Sequence, residues 1–483
     1  MTQNPDKLIE PTAPFNSEKV IGNILALGSS EILARVVAFI TTTYLARVLG
    51  PAGFGIIGFA AAICAYLSLA VNMGFTGVGA REVARKPDKA LVIAASCVLI
   101  RLIVALVSMA VLSVVVLLIE KPAIVKLVII LTGLSFFSLA LDTSWVYKGL
   151  ERNRTVGFAL VFGQILYLIT VLITVANPED VKYVPLAQFF GETSAAIFLA
   201  VSLFRFGEIR LELREGWRIV KSSAFLVISK LLRTLIFTFD VVIIGFLLGE
   251  REVGLYNAPY RICFLLLAIA TVIQVSYLPA VTRALEYGKE QVERIVASSI
   301  SLSSVLCFPI MVGGIILSEQ ILRTVFGAEY LEGAWAFRLL IISIGINFIY
   351  KSIHNILLVY NLLRTEMWIT ALAAGVNVIL NIILIPRYGI VAAASVTVLA
   401  DSIIFLMMVF VTYRIGIRLQ FWNTLRPLAA AGIMGASLFV LGIPQSLFVS
   451  VPTGFLIYVI VLAIIGGIPK NVELYLSNLM KLK

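Results

Sequence analysis

Fourteen apolar stretches, most of them 20 residues or longer, run nearly end to end through this chain of 483 residues. They lie at about 21–48, 54–74, 91–119, 123–147, 156–176, 183–204, 219–248, 254–281, 296–317, 334–359, 366–385, 390–412, 426–443 and 447–468. About 20 apolar residues in a helix cross the hydrocarbon core of a bilayer. Water offers no alternative solvent. The chain is 60% hydrophobic and 13% charged, against about 45–50% and about 25% in soluble domains. A globule in water must still cover itself with polar groups. In lipid, a helix satisfies every backbone group within the segment. The expected fold is therefore an all-α polytopic membrane protein. It has about 14 transmembrane helices, in two six-helix lobes plus two C-terminal helices.

The net charge of +11 would suggest nucleic acid in a soluble protein. Here it orients the chain, because Lys and Arg are retained on the cytoplasmic side of short loops. Over alternate loops, starting with the N-terminal tail, one side holds 24 Lys and Arg, the other 7, and the remaining 7 of the 38 fall within spans. Both termini are then cytoplasmic, in a multi-pass protein of the cell (inner) membrane. Residues 1–20, polar and with Pro5, Pro11 and Pro14, read as a cytoplasmic tail and not as a cleaved signal. Cys64, Cys97, Cys263 and Cys307 sit in apolar runs and read as small core residues.

The chain divides into related halves. Leu49-Gly50, Gly55 and Ile63-Cys64 recur as Leu248-Gly249, Gly254 and Ile262-Cys263, offset by 199 residues throughout. Both copies fall at the tight external turn after the first span of a half. Six spans per half give the copies the same orientation, which is the parallel type of transporter repeat. The expected organisation is an N-terminal lobe at 21–206, a cytoplasmic amphipathic linker at 207–218, a C-terminal lobe at 219–412, and a last pair of spans with a tail at 413–483.

Charges inside spans are costly and mark cavities or partners. They are Glu31, Arg35, Arg101, Asp142, Glu192, Lys230, Arg233, Asp240, Arg261, Lys351 and Asp401. Lys230, Arg233, Phe237 and Asp240 form one stripe on span seven. Glu31 and Arg35 share a face of span one, its repeat equivalent. Arg35, Arg101, Lys230, Arg233 and Arg261 would make a central cavity positive and suited to phosphate oxygens. Glu31 and Asp240 could bind a proton or Na+. Plainer readings stand beside these. Glu31–Arg35 can be an internal salt bridge, Arg338 and Lys351 can snorkel, Asp142 can be interfacial, and Asp401 can pair with a neighbouring helix. Pro259 and Pro279 are expected to bend span eight. The single histidine, His354, reads as a satisfied core residue.

No phosphate-binding GxxxxGK[ST] loop, CxxC or HExxH pattern occurs. No external loop is long enough for an enzyme site. The chain is read as no enzyme, with no cofactor, no metal and no nucleic-acid partner.

Several segments resemble the polysaccharide (Wzx-type) flippases of the multidrug/oligosaccharidyl-lipid/polysaccharide exporter superfamily. They are LARVLGPAGFGIIGF with NMGFTGVGAREVARKPDK, FTFDVVIIGFLLGEREVGLYNAPYRI, and VFGAEYLEGAWAFRLL. The likeness runs over nearly the whole chain. It implies a protein that flips undecaprenyl-pyrophosphate-linked oligosaccharide units to the outer leaflet for surface polysaccharide, such as O-antigen or exopolysaccharide. It also implies alternating access around a cationic central cavity. Arg35, Lys230, Arg233 and Arg261 match that cavity by location, and Asp240 lies within the matching span-seven segment. The implied partners are the lipid-linked glycan, membrane lipids, H+ or Na+, and a polymerase and chain-length protein; the transporter itself is expected to be a monomer. A peptidoglycan-precursor (lipid II) flippase, a multidrug or cation antiporter, and a membrane polymerase or ligase are the alternatives, in that order. The net positive mid-span charge disfavours the antiporter, and the short loops disfavour the enzyme.

Overall fold

The computed structural model describes residues 17–205, 210–440 and 446–467, with side chains omitted at 17–27 and at position 224. Most of the expected N-terminal tail, the C-terminal tail, and residues 207–209 of the expected linker lie outside the described residues. The described chain is helical throughout, with no strand among the described residues. Contacts divide it into unit 1, up to Thr234, and unit 2, from Leu235.

Unit 1 contains α1 (Ser17–Asn72), α2 (Phe75–Arg85), α3 (Ala90–Leu118), α4 (Ala123–Gly133), α5 (Ser135–Leu141), α6 (Ser144–Gly149), α7 (Asn153–Thr174), α8 (Tyr183–Phe204) and the first part of α9 (Leu213–Leu247). Unit 2 takes the rest of α9, then α10 (Glu250–Ala284), α11 (Lys289–Ile316), α12 (Ser318–Val325), α13 (Ala334–Val359), α14 (Leu363–Arg414), α15 (Leu425–Val440) and α16 (Leu447–Ile464). Among the described residues, ten helical segments are long and apolar enough to cross a membrane. Two of them, containing α1 and α14, are each broken near the middle by one glycine, Gly50 and Gly389. Among the described residues, each of the fourteen expected spans falls on helix over most of its length. Large apolar side chains stand exposed along them, among them Leu117, Ile173 and Phe448. Lipid is the solvent that tolerates such surfaces.

The repeated turn has a backbone cause. Gly50 has φ 66° and ψ 179°, and Gly249 has φ 104° and ψ 179°. Only glycine occupies that region at low cost. Each reverses the chain between two long helices, the two arms of α1 in unit 1 and α9 and α10 in unit 2.

The expected span at 123–147 is instead three helices, α4, α5 and α6. At its second break Asp142 accepts hydrogen bonds from the Ser144 amide and hydroxyl, both at 2.9 Å. That local bonding competes with the helical ladder. The carbonyls it frees are taken by Arg101 on α3, which donates to the Leu139 oxygen and, at 2.8 Å, to the Asp142 oxygen. Beneath this break Trp145 stacks on Phe75 of α2, with ring centroids 6.0 Å apart. α2 lies between the expected spans 54–74 and 91–119. It is a short amphipathic helix that buries Phe75 and Val83 and holds Arg218 of α9 through Glu82 at 2.7 Å.

In unit 2, α13 packs against α10, α11 and α14 and is buried on most of its circumference, as a central helix must be. α10 continues as one helix through Pro259 and Pro279.

Candidate functional site

The sequence-predicted residues divide between the units. Arg35, Arg101, Lys230, Arg233 and Glu31 belong to unit 1, and Asp240 and Arg261 to unit 2. In unit 1, Arg35 is exposed. Glu31 forms its ion pair with Lys148 of α6 at 4.0 Å, where an internal bridge to Arg35 was one reading. Lys230 is exposed, with Nζ 3.5 Å from Thr76 Oγ1, and Arg233 is half-buried. Arg101 differs from the others. It is buried, its guanidinium bonds to main-chain carbonyls, and it lies over the Phe75 ring at 5.9 Å. It holds the break at Asp142 and presents no open fork to a ligand.

Unit 1 also encloses a cavity of about 520 Å³. None of the five basic residues lines it; its two charged lining residues are Asp142 and Glu192.

In unit 2, Asp240 is fully buried on α9. It accepts the Tyr256 hydroxyl of α10 at 2.5 Å and the Val241 amide at 2.7 Å. The stripe read from sequence thus changes character along its length, from the exposed Lys230 to the sealed Asp240. Tyr256, Tyr260 and Phe264 follow at helical spacing, with ring centroids 5.3 and 5.1 Å apart, and Phe237 meets Phe264 edge-on at 6.0 Å. A second buried carboxylate, Asp401 of α14, accepts from Ser343 and, at 2.8 Å, from Asn347 on α13. It is paired with a neighbouring helix, as one reading of it held.

His354 is also satisfied. Its Nδ1 meets Gln274 of α10 at 2.8 Å and its Nε2 meets Glu366 of α14 at 3.0 Å. Lys351 donates to Thr271 at 2.6 Å, and Arg338 pairs with Glu319 at 2.9 Å near a helix end. Among the described residues no group of three His, Cys, Asp or Glu is placed to hold a metal ion. The tyrosine partner of Asp240 was not identified from sequence, although Tyr256 lies within the quoted span-seven segment.

The profile of the family described as "Polysaccharide biosynthesis protein" matches residues 20–285, and a second profile, MatE, matches residues 226–383. A curated relative from Haloferax volcanii, the "Probable low-salt glycan biosynthesis flippase Agl15", is 28% identical over 231 residues, 45% of this chain and 48% of the relative. The chain thus spans about half the length of the curated relatives it matches. Among solved structures, "Lipid II flippase MurJ, inward closed conformation" superposes with TM-score 0.76 at 15% identity, covering 91% of this chain and 98% of the other. An outward-facing multidrug resistance MATE family transporter gives TM-score 0.55 at 14% identity, covering 86% and 96%. These two likenesses are of fold.

Proposed function

Because the chain belongs to the polysaccharide biosynthesis protein family, and is a multi-pass helical membrane protein, we propose that it flips polyprenyl-pyrophosphate-linked oligosaccharide units from the cytoplasmic to the outer leaflet. The observation that carries this reading is the family match itself: residues 20–285 include Arg35, Lys230, Arg233 and Arg261. The Haloferax relative, described as a glycan biosynthesis flippase, supports the same class of substrate. The protein works as a transporter and not as an enzyme. Both termini face the cytoplasm of the cell membrane, and the lobes follow the 21–206 and 219–412 division.

In this reading, the exposed Arg35 and Lys230 and the half-buried Arg233 and Arg261 meet the pyrophosphate, while the polyprenyl tail stays in lipid. Guanidinium groups suit it because their planar fork pairs with two phosphate oxygens at once. Alternating access between the lobes is driven by an ion gradient or the membrane potential, with Asp240 and Glu31 as the acids that respond to it. A polymerase and a chain-length protein act on the exported unit.

Arg35→Ala and Arg233→Ala should each abolish surface polysaccharide at unchanged membrane abundance, with lipid-linked units accumulating on the cytoplasmic leaflet. Normal polysaccharide in both variants would sink the cationic-site reading. Asp240→Asn should slow transport or change its ion dependence; if neither moves, Asp240 is structural.

A further inference from the structure

The cavity of unit 1 is walled by the second arm of α1, by the broken segment from α4 to α6, and by α7 and α8. Two glycines make this wall close. A Cβ on Gly191 of α8 would stand 2.6 Å from the Gly163 oxygen of α7. The resulting contact sets Gln164, Gln188 and Glu192 along one side.

Of the five hydroxyls in the wall, three are committed as donors to main-chain carbonyls, Ser144 donates to Asp142, and Ser138 shares a hydrogen bond of 2.7 Å with Thr193. Ser68 donates to the Cys64 carbonyl at 2.9 Å, Thr132 to Val128 at 2.7 Å, and Ser135 to Thr132 at 2.8 Å. A hydroxyl has one proton, so these three present only lone pairs to the cavity. Asn72 adds a buried Oδ1 with no hydrogen-bond partner among the described residues. Of the two carboxylates, Asp142 is occupied by Ser144. Glu192 accepts one hydrogen bond, on Oε1 from Gln188 Nε2 at 2.8 Å, and its Oε2 has no partner among the described residues.

The wall is therefore rich in acceptors and contains no Lys, Arg or His. With no cationic side chain in the wall it does not suit an anion, and with no aromatic side chain it gives a sugar no flat ring to lie on. Glu192 lies near the middle of span 183–204, where an unneutralised carboxylate is strongly disfavoured. Hard cations take carboxylate, carbonyl and hydroxyl oxygens as ligands, and a proton neutralises the same carboxylate directly.

We propose that this cavity is a binding site for a small hard cation, H+ or Na+, with Glu192 as its anionic ligand and Asn72 Oδ1 as a neutral one. The site names a seat for the coupling ion of the transport reading and rests on that reading only for its role in transport. Binding is a separate matter, so a transport failure in Arg35→Ala bears on the glycan reading and leaves this one standing.

The test uses the full chain in lipid nanodiscs, with two readouts. One is saturable binding of radioactive Na+. The other is the pH-dependent infrared difference band of a protonated carboxyl group. A sodium site gives binding that falls at least about tenfold in Glu192→Gln and several-fold in Asn72→Ala. A proton site gives no sodium binding and a carboxyl band that Glu192→Gln removes. The proposal is overturned if wild type shows neither signal, or if the signal survives unchanged in Glu192→Gln. Should Glu192→Gln fail to fold, Asn72→Ala decides in the same way: an unchanged sodium affinity or an unmoved carboxyl band overturns the site.

Discussion

Glu192 in unit 1 and Asp240 in unit 2 are both carboxylates on expected membrane spans, but the protein treats them differently. Asp240 is closed over on both oxygens by a tyrosine hydroxyl and a main-chain amide, while Asp401 accepts from Ser343 and Asn347 on a single oxygen, Oδ2. Glu192 accepts one hydrogen bond and lines a cavity in which Ser68 and Thr132 donate into their own helices. The difference lies in where the donors point. At Asp240 the neighbouring helix aims a hydroxyl donor at the carboxylate. At Glu192 a single amide, Gln188, reaches the carboxylate, while Ser68, Thr132 and Ser135 on the same wall donate to main-chain carbonyls. Carboxylates in a bilayer thus have two local solutions, and this chain uses both.

Variants that delete donors should break or sharpen this contrast, with stability read as the melting temperature in nanodiscs. The largest effect is expected at Arg101. Arg101→Met removes the buried donor to two main-chain carbonyls at the Asp142 break and should cost about 2–5 kcal/mol. Arg101→Lys should recover only part of the loss, since an ammonium lacks the fork that reaches both oxygens. A melting point near wild type would show that the break holds without it. Tyr256→Phe comes next, at about 1–3 kcal/mol, because it strips a donor from the sealed Asp240. Gln188→Leu deletes the equivalent donor from Glu192, where the cavity gives access to water, and should cost less than about 1 kcal/mol. Equal losses in Tyr256→Phe and Gln188→Leu would erase the distinction between sealed and open carboxylates. Arg251→Ala is the smallest. Its pair with Glu332 at 2.8 Å lies at side-chain exposures of 51% and 63%, and such pairs contribute about 0–1 kcal/mol.

Much of the fold could be read from the chain because lipid imposes a simple rule. Runs of about 20 apolar residues must be helices, and Gly50 and Gly249 mark turns that other residues resist. Among the described residues, the expected fourteen spans lie on helix over most of their length for that reason. The break at Asp142 was harder to foresee, because it depends on Arg101, which is distant in sequence and carries no local signal there. α2 escaped for another reason. It is too short and too polar for a span, and its apolar face becomes visible only against Trp145. The cavity was the least legible feature. Ser68 and Asn72, Thr132, and Gln188 and Glu192 come from three separate helices, and no periodicity links one helix to another. Which way a serine donates is settled by the backbone beside it and not by its identity. Charge position alone drew attention to Arg101 and Asp240, yet it could not distinguish a side chain that meets a ligand from one fully engaged by the protein.

The four cysteines are all buried and all unpaired, but only Cys64 lies on the cavity wall among them. Cys64 is itself buried, with its thiol directed at the Ile129 carbonyl, so a small thiol reagent that enters the cavity is expected to meet it and not Cys97, Cys263 or Cys307. Any opening of that cavity to water should therefore be read as faster modification of Cys64. The rate of Cys64 modification, followed as ions or lipid-linked glycans are added, would time the opening without any engineered label.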